Sequence, residues 1–182
     1  MAESILGERQ AGSFRRILAA PVHRGTVIAG KMLAFRGVVF LQMLVLFGIG
    51  SAFFDMPLGD SPLGLLALTL ALALASTGLG MLLGSVARTR KQAGAIGLVL
   101  GFVLFFASGL PPSSIGPAGY ELGLEGFRLL LSQLTPHIHA YDGYLRLMIE
   151  GAGTADILPN ILVLLGFGVV FFLVGVWRFE YE

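Results

Sequence analysis

Polar positions in this chain gather into a few short clusters, and between them lie four runs that are apolar on every face. They cover about Met32 to Phe54, Pro62 to Ala87, Ala93 to Leu110 and Ile157 to Trp177. Each is near the ~20 residues that a helix needs to cross the hydrocarbon of a bilayer. Membrane strands would alternate apolar and polar residues over about ten positions, and none of these runs does so. The pattern therefore predicts an all-α integral membrane protein with four transmembrane helices.

Two stretches between the runs have a helical pattern of a different kind. From Glu8 to Arg24, the apolar residues Phe14, Ile17 and Leu18, with Ile5 and Leu6 nearby, form a stripe beside Arg9, Arg15 and Arg16, and Ala20-Pro21 stops the helix. Such an amphipathic element either lies on anionic lipid or docks on a partner, and its physics fits both. The connection from Pro111 to Asp156 carries apolar residues at helical spacing over Leu122 to Leu134 and Ala140 to Ile149, separated by Thr135 and Pro136. It reads as two short helices, interfacial or re-entrant, before the last span. Residues 1–30 thus form an amphipathic segment and residues 31–182 a transmembrane domain.

Charge placement orients the chain. Arg9, Arg15, Arg16, Arg24, Lys31 and Arg36 sit at the start of the first span, and Arg88, Arg90 and Lys91 fill the turn between the second and third. Lys and Arg favour the cytoplasmic ends of spans, so these ends face inward. The first turn between spans holds Asp55 and Asp60, and the long connection holds only Arg128 and Arg146 beside its acids, so both face outward. Four crossings then place both termini in the cytoplasm of a cell bounded by its plasma or inner membrane. The composition agrees: 55% of the residues are hydrophobic and 13% charged, about half the charge of an ordinary soluble domain. A net charge of +1 gives no basis for nucleic-acid binding. With no cysteine, thiol chemistry and disulfides are excluded. Glu3 and Glu8 interrupt the N-terminus, so it does not read as a cleavable signal.

Candidate chemistry is sparse. Gly25 to Lys31 fits a phosphate-binding loop until Met32 stands where a Ser or Thr must hold magnesium, so no nucleotide site is expected and Lys31 reads as an anchor at the membrane face. His137 and His139 lie near Asp142, but side chains two apart on a helix diverge and no third ligand has suitable spacing, so no metal is expected. Ser108, Ser113 and Ser114 lack a His and Asp at a known spacing, so catalysis is not indicated. In the second span Thr69, Ser76, Gly80 and Gly84 share a face, and Gly97 and Gly101 repeat the small-residue spacing in the third. Such faces serve helix packing, a dimer seam or a translocation path. Gln42, deep in the first span, is expected to face protein or a cavity.

The N-terminal segment resembles the coupling region of ABC type-2 transporter permeases. That family's pattern is Glu, three residues, Gly-Ser/Thr, two residues, Arg-Leu/Ile-Leu, two residues, Pro and then a basic residue. Here it reads Glu8, Gly12-Ser13, Arg16-Ile17-Leu18, Pro21 and Arg24, followed by Gly30-Lys31 and Gln42. The family's outer re-entrant region is similar to Ser108-Gly109 with Pro111 and Pro112, Leu134-Thr135-Pro136, and Ala140-Tyr141-Asp142 with Arg146. The resemblance covers nearly the whole chain and corresponds to the C-terminal two thirds of a usual six-span member.

The resemblance implies a permease subunit of an exporter of drugs, lipids or polysaccharides. It implies no cofactor in this chain: a separate ABC ATPase would bind ATP and Mg²⁺ and dock on Glu8, Gly12, Phe14, Arg15, Arg16, Ile17, Leu18, Pro21 and Arg24. A second permease subunit, identical or not, would complete the path amid membrane lipid. A non-transporting scaffold with the same fold is the alternative reading, and an outer-face enzyme using His137 and His139 a third.

Overall fold

The computed structural model describes residues 2–3, 6–7, 24–107 and 133–178. Five α-helices have defined bounds among the described residues, α1 (Arg24–Phe54), α2 (Pro62–Val86), α3 (Arg90–Ala107), α4 (Pro136–Met148) and α5 (Leu158–Arg178), and residues 2–3 and 6–7 are also helical. Among the described residues there is no strand. Three helical stretches among the described residues are long and apolar enough to cross a membrane: Ala29–Phe54 within α1, α2, and α5. The third expected span is α3, which opens on Arg90-Lys91-Gln92 and has 18 residues; the expected residues 108–110 lie outside the described ones. The expected helix at Leu122 to Leu134 also lies there, except for its last two residues.

The helix boundaries follow local chemistry. α1 begins eight residues before the apolar run does, because nothing between Arg24 and Lys31 breaks a helix; at 31 residues it is ~46 Å long. Residues 24–30 of the predicted amphipathic segment are therefore continuous with the span. Pro62 starts α2 at its first turn, where no N–H is needed, and the Ser61 hydroxyl accepts from the Gly64 N–H at 3.3 Å. Thr135 and Pro136, expected to separate two helices, instead open α4, which starts four residues before the expected Ala140 because proline is tolerated in a first helical turn. α4 ends at Met148 with Ile149 as its cap, and just beyond it Gly151 turns the chain with a left-handed φ of 68° while the Ala152 N–H donates to the Arg146 carbonyl at 2.9 Å.

α1 and α2 are antiparallel, as are α2 and α3, while α2 and α5 run parallel. Gly64 lies beside Thr154, Gly78 beside Gly168, and Met81 beside Gly175. The core is this α2–α5 seam capped by α4: Leu68, Ala71, Ala75, Ala140, Leu147, Ile157, Ile161 and Leu164. Almost none of the apolar window of α1 is covered, against nearly half of that of α2. Gly59 joins α1 and α2 with φ of 73°, and a Cβ there would overlap the Leu147 carbonyl of α4. Only glycine meets both demands.

Candidate functional site

Two ends of this bundle hold the polar chemistry. At one end α4 lies across the starts of α2 and α5. Asn160, 6% exposed, sits in the first turn of α5, and its amide nitrogen donates to the His139 carbonyl at 3.0 Å and to Asp142 Oδ2 at 2.9 Å. Both amide protons are used on acceptors one turn apart on α4. Thr69 of α2, also buried, donates to the Leu65 carbonyl at 2.7 Å, so its oxygen accepts from the Tyr144 hydroxyl of α4 at 3.0 Å. Burial holds the Tyr144 phenol above its usual range, opposed by the Thr69 contact, so it stays protonated. The Ser61 and Thr154 hydroxyls pair at 2.7 Å beside it.

A double-mutant cycle isolates the Thr69–Tyr144 bond. Thr69→Val and Tyr144→Phe should couple by about 0.6 kcal/mol and no more than about 1.7, the range of interhelical hydrogen bonds in membranes. Unfolding of the four proteins in mixed micelles measures it, and strict additivity would mean that the bond contributes nothing.

The two histidines do not converge. His139 Nε2 is 2.9 Å from the Gln133 carbonyl and its ring lies 6.3 Å from Phe167. His137 Nδ1 is buried without a partner, and burial lowers the pKa of this ring below its usual 6.5, which keeps it neutral at pH 7. Of the predicted outer residues, Pro136 is buried at the start of α4 and Asp142 is held by Asn160. Arg146 is half-buried in the last turn of α4, where a cation complements the helix dipole. Pro111 and Pro112 lie outside the described residues.

The α2–α5 seam runs along the side of α2 opposite the predicted small-residue face. Ala71, Ala75 and Gly78 meet α5 at Leu164, Gly168 and Phe171, and at 100° per residue Gly78 is half a turn from Thr69. Ser76 is exposed, Gly80 half-buried and Gly84 buried. Gly97 lies 3.8 Å from Leu83, measured from an added Cβ, and Gly101 has nothing within 4 Å. Gln42 is exposed on α1 rather than packed against a described helix. Gly168 and Gly175, a heptad apart on one face of the last span, were the missed signal for the seam. Asn160, the lone amide at the mouth of the last span, was the missed signal for the clasp.

The opposite end carries the basic residues. Arg88, Arg90 and Lys91 are exposed around the α2–α3 turn. Leu6 is 1% exposed and packs on Ala87 and Ala93 of the same chain. Of the predicted docking residues, Arg24 opens α1; Glu8, Gly12, Phe14, Arg15, Arg16, Ile17, Leu18 and Pro21 lie outside the described residues. Gly25 to Lys31 lies within the unbroken α1, so it forms no loop around a phosphate.

Comparison with known proteins agrees with this architecture. The family model described as ABC-2 family transporter protein matches residues 2–182. The linearmycin resistance permease protein LnrN of Bacillus subtilis (strain 168) is 27% identical over 175 residues, covering 96% of this chain. The chain spans 43% of the length of that relative. No solved structure matches. The family and the three spanning helices make this a multi-pass membrane protein. The chain belongs to the ABC-2 family of transporter membrane proteins.

Proposed function

We propose that the chain is a permease subunit of an ATP-driven exporter, lying in the plasma or inner membrane with its basic end and both termini in the cytoplasm. The observation that carries this is the unbroken α1: the segment resembling a coupling helix feeds, from Arg24, a 31-residue helix that continues into the membrane. A helix without an internal break moves as a lever, so a push at its start reaches the bilayer. The remaining parts come from the family resemblance. A separate ABC ATPase binds ATP and Mg²⁺, and the stripe of Phe14, Ile17 and Leu18 fills a groove on it while Arg15, Arg16 and Arg24 meet acidic groups. A second permease subunit, identical or not, shares the path, with α3 as the fourth crossing. ATP then shifts the equilibrium between two arrangements of the spans by binding one of them better. Drugs, lipids and polysaccharides are the cargo classes, and the name of the Bacillus relative, a linearmycin resistance permease, favours the first.

Affinity purification from native membranes in mild detergent tests the docking. An ABC ATPase should accompany the chain, and Arg15→Glu with Arg16→Glu should lower its recovery at least about tenfold, equivalent to ~1.4 kcal/mol, at an unchanged level of the chain in the membrane. Full recovery from the reversed variant would exclude this docking surface and favour the scaffold reading.

A further inference from the structure

The basic end contains a contact that the coupling scheme does not use. Leu6 is 1% exposed, covered by Ala87 at the end of α2 and Ala93 in the first turn of α3, with Ala2 and Ile96 packed around them. Gly7 is buried, and the Arg90 guanidinium occupies the place that a Cβ on Gly7 would take. The Glu3 carboxylate lies similarly over Gly94, 3.0 Å from where its Cβ would stand. Apolar burial of Leu6 and the close approach of Gly7 to Arg90 thus hold residues 6–7 on one short surface, the α2–α3 turn.

The sequence gives this contact its meaning. Residues 8–23 lie between two anchors: Leu6, seated on the start of α3, and Arg24, the first residue of α1. A segment held at both ends passes its motion to both anchors, whereas one held only at Arg24 would move α1 alone. We infer that Leu6 and Gly7 are positioning residues that tie the ATPase-docking segment to the α2–α3 turn, so that one displacement drives α1 and α3 together. This rests on the docking reading above. The Leu6 contact suits a transmission joint, because it is a small apolar knob between two alanines, flanked by Arg90 over Gly7. α3 has little other packing to carry force, since its exposed residues include Leu98, Val99, Phe102, Val103 and Phe106.

The absence of native cysteine permits a direct test on the full chain with its co-purified ATPase. Single cysteines at Leu41 in α1 and Leu98 in α3, both exposed, carry a bimane probe, and fluorescence is compared without nucleotide and with ATP·Mg²⁺ trapped by vanadate. Both probes should respond in the unsubstituted background. With Leu6→Glu, the ATPase should still co-purify and the α1 response should persist, while the α3 response falls at least about fivefold. A general structural defect would lower both responses. Separately, Leu6→Cys with Ala93→Cys should form an intrachain disulfide under mild oxidation and retain the α3 response, which keeps the test open should the glutamate variant fold poorly. An undiminished α3 response in Leu6→Glu, or no disulfide in the cysteine pair, overturns the proposal. Absence of an ATPase from the unsubstituted complex overturns the docking reading, and this proposal falls with it.

Discussion

Replacing Gly168 by leucine is expected to pry α5 from α2, while the same change at Gly166, two residues away on the same helix, leaves the bundle intact. A Cβ on Gly168 would stand 2.6 Å from Leu74 Cγ, 3.0 Å from the Leu74 carbonyl carbon and 3.1 Å from the Ala75 nitrogen. Two of these are backbone atoms, which cannot swing aside as a flexible side chain would. Gly166 has nothing within 4 Å. Overfilling a packed interior costs about 1–3 kcal/mol, and a collision with backbone belongs at the upper end. The apolar replacement itself suits lipid, so the Gly166 variant controls for hydrophobicity. Membrane helices associate through close packing rather than through exclusion of water, and the loss should therefore appear directly as a lower temperature of half-loss of the monodisperse protein in mild detergent. Equal behaviour of the two variants would mean that α2 and α5 do not meet at Gly168.

The second large effect is expected at Asn160. Leucine is close to asparagine in shape but removes both N–H donors, leaving the His139 carbonyl and the Asp142 carboxylate without this partner. A hydrogen bond to a charged group contributes about 1.5–3 kcal/mol, and a stranded acceptor adds its own desolvation cost. Asn160→Leu should therefore destabilise by roughly 2–3 kcal/mol and speed amide exchange on the inner turns of α4. Asp142→Asn keeps an acceptor of the same shape and loses only the charge, so its cost should be smaller. Replacing both Asn160 and Asp142 by leucine should recover part of the loss, because two apolar groups strand one acceptor fewer. A double variant as unstable as the sum of its singles would show that the two side chains do not act as a pair.

The clasp and the seam differ in how far the sequence disclosed them. α2 and α5 were readable because their lengths and apolarity leave no other element, and so was a break at Thr135-Pro136, although α4 starts at Pro136 itself rather than at Ala140. The side on which α2 meets α5 was not readable by periodicity: a span is apolar all round, so no face is marked by hydrophobic contrast. Small residues are then the only marker, and α2 has two small faces. Spacing marks Thr69, Ser76, Gly80 and Gly84 as a small face without saying what packs on it, and the α2–α5 seam lies on the other side, at Ala71, Ala75 and Gly78. α1 was cut at Met32 because hydropathy measures the bilayer rather than the helix, and the helix continues to Arg24. Asn160 reads as an ordinary residue at a span mouth until α4 folds over it. Spacing groups Leu6 with the amphipathic stripe and does not disclose its contact with Ala87 and Ala93, since spacing alone cannot tell a partner's groove from a groove in the same chain.

The two ends serve one arrangement. At the acidic end, α4 is pinned to α2 by Tyr144 and to α5 by Asn160, which makes these three helices a stiff unit. At the basic end, α1 and α3 make fewer contacts and are the elements to which the proposed docking segment connects. Force applied there would move the lightly packed helices against the stiff unit, the kind of relative motion that the proposed alternating exposure calls for.

Photo-crosslinking from Ile17 tests this account most directly. A diazirine amino acid at that position, activated in cells of the source organism and followed by mass spectrometry of the adducts, reports what the stripe touches. The expected adduct is an ABC ATPase, enriched when ATP hydrolysis is blocked by vanadate. Adducts of phospholipid alone, with the chain present at its normal level, would contradict the account and leave an interfacial helix in its place.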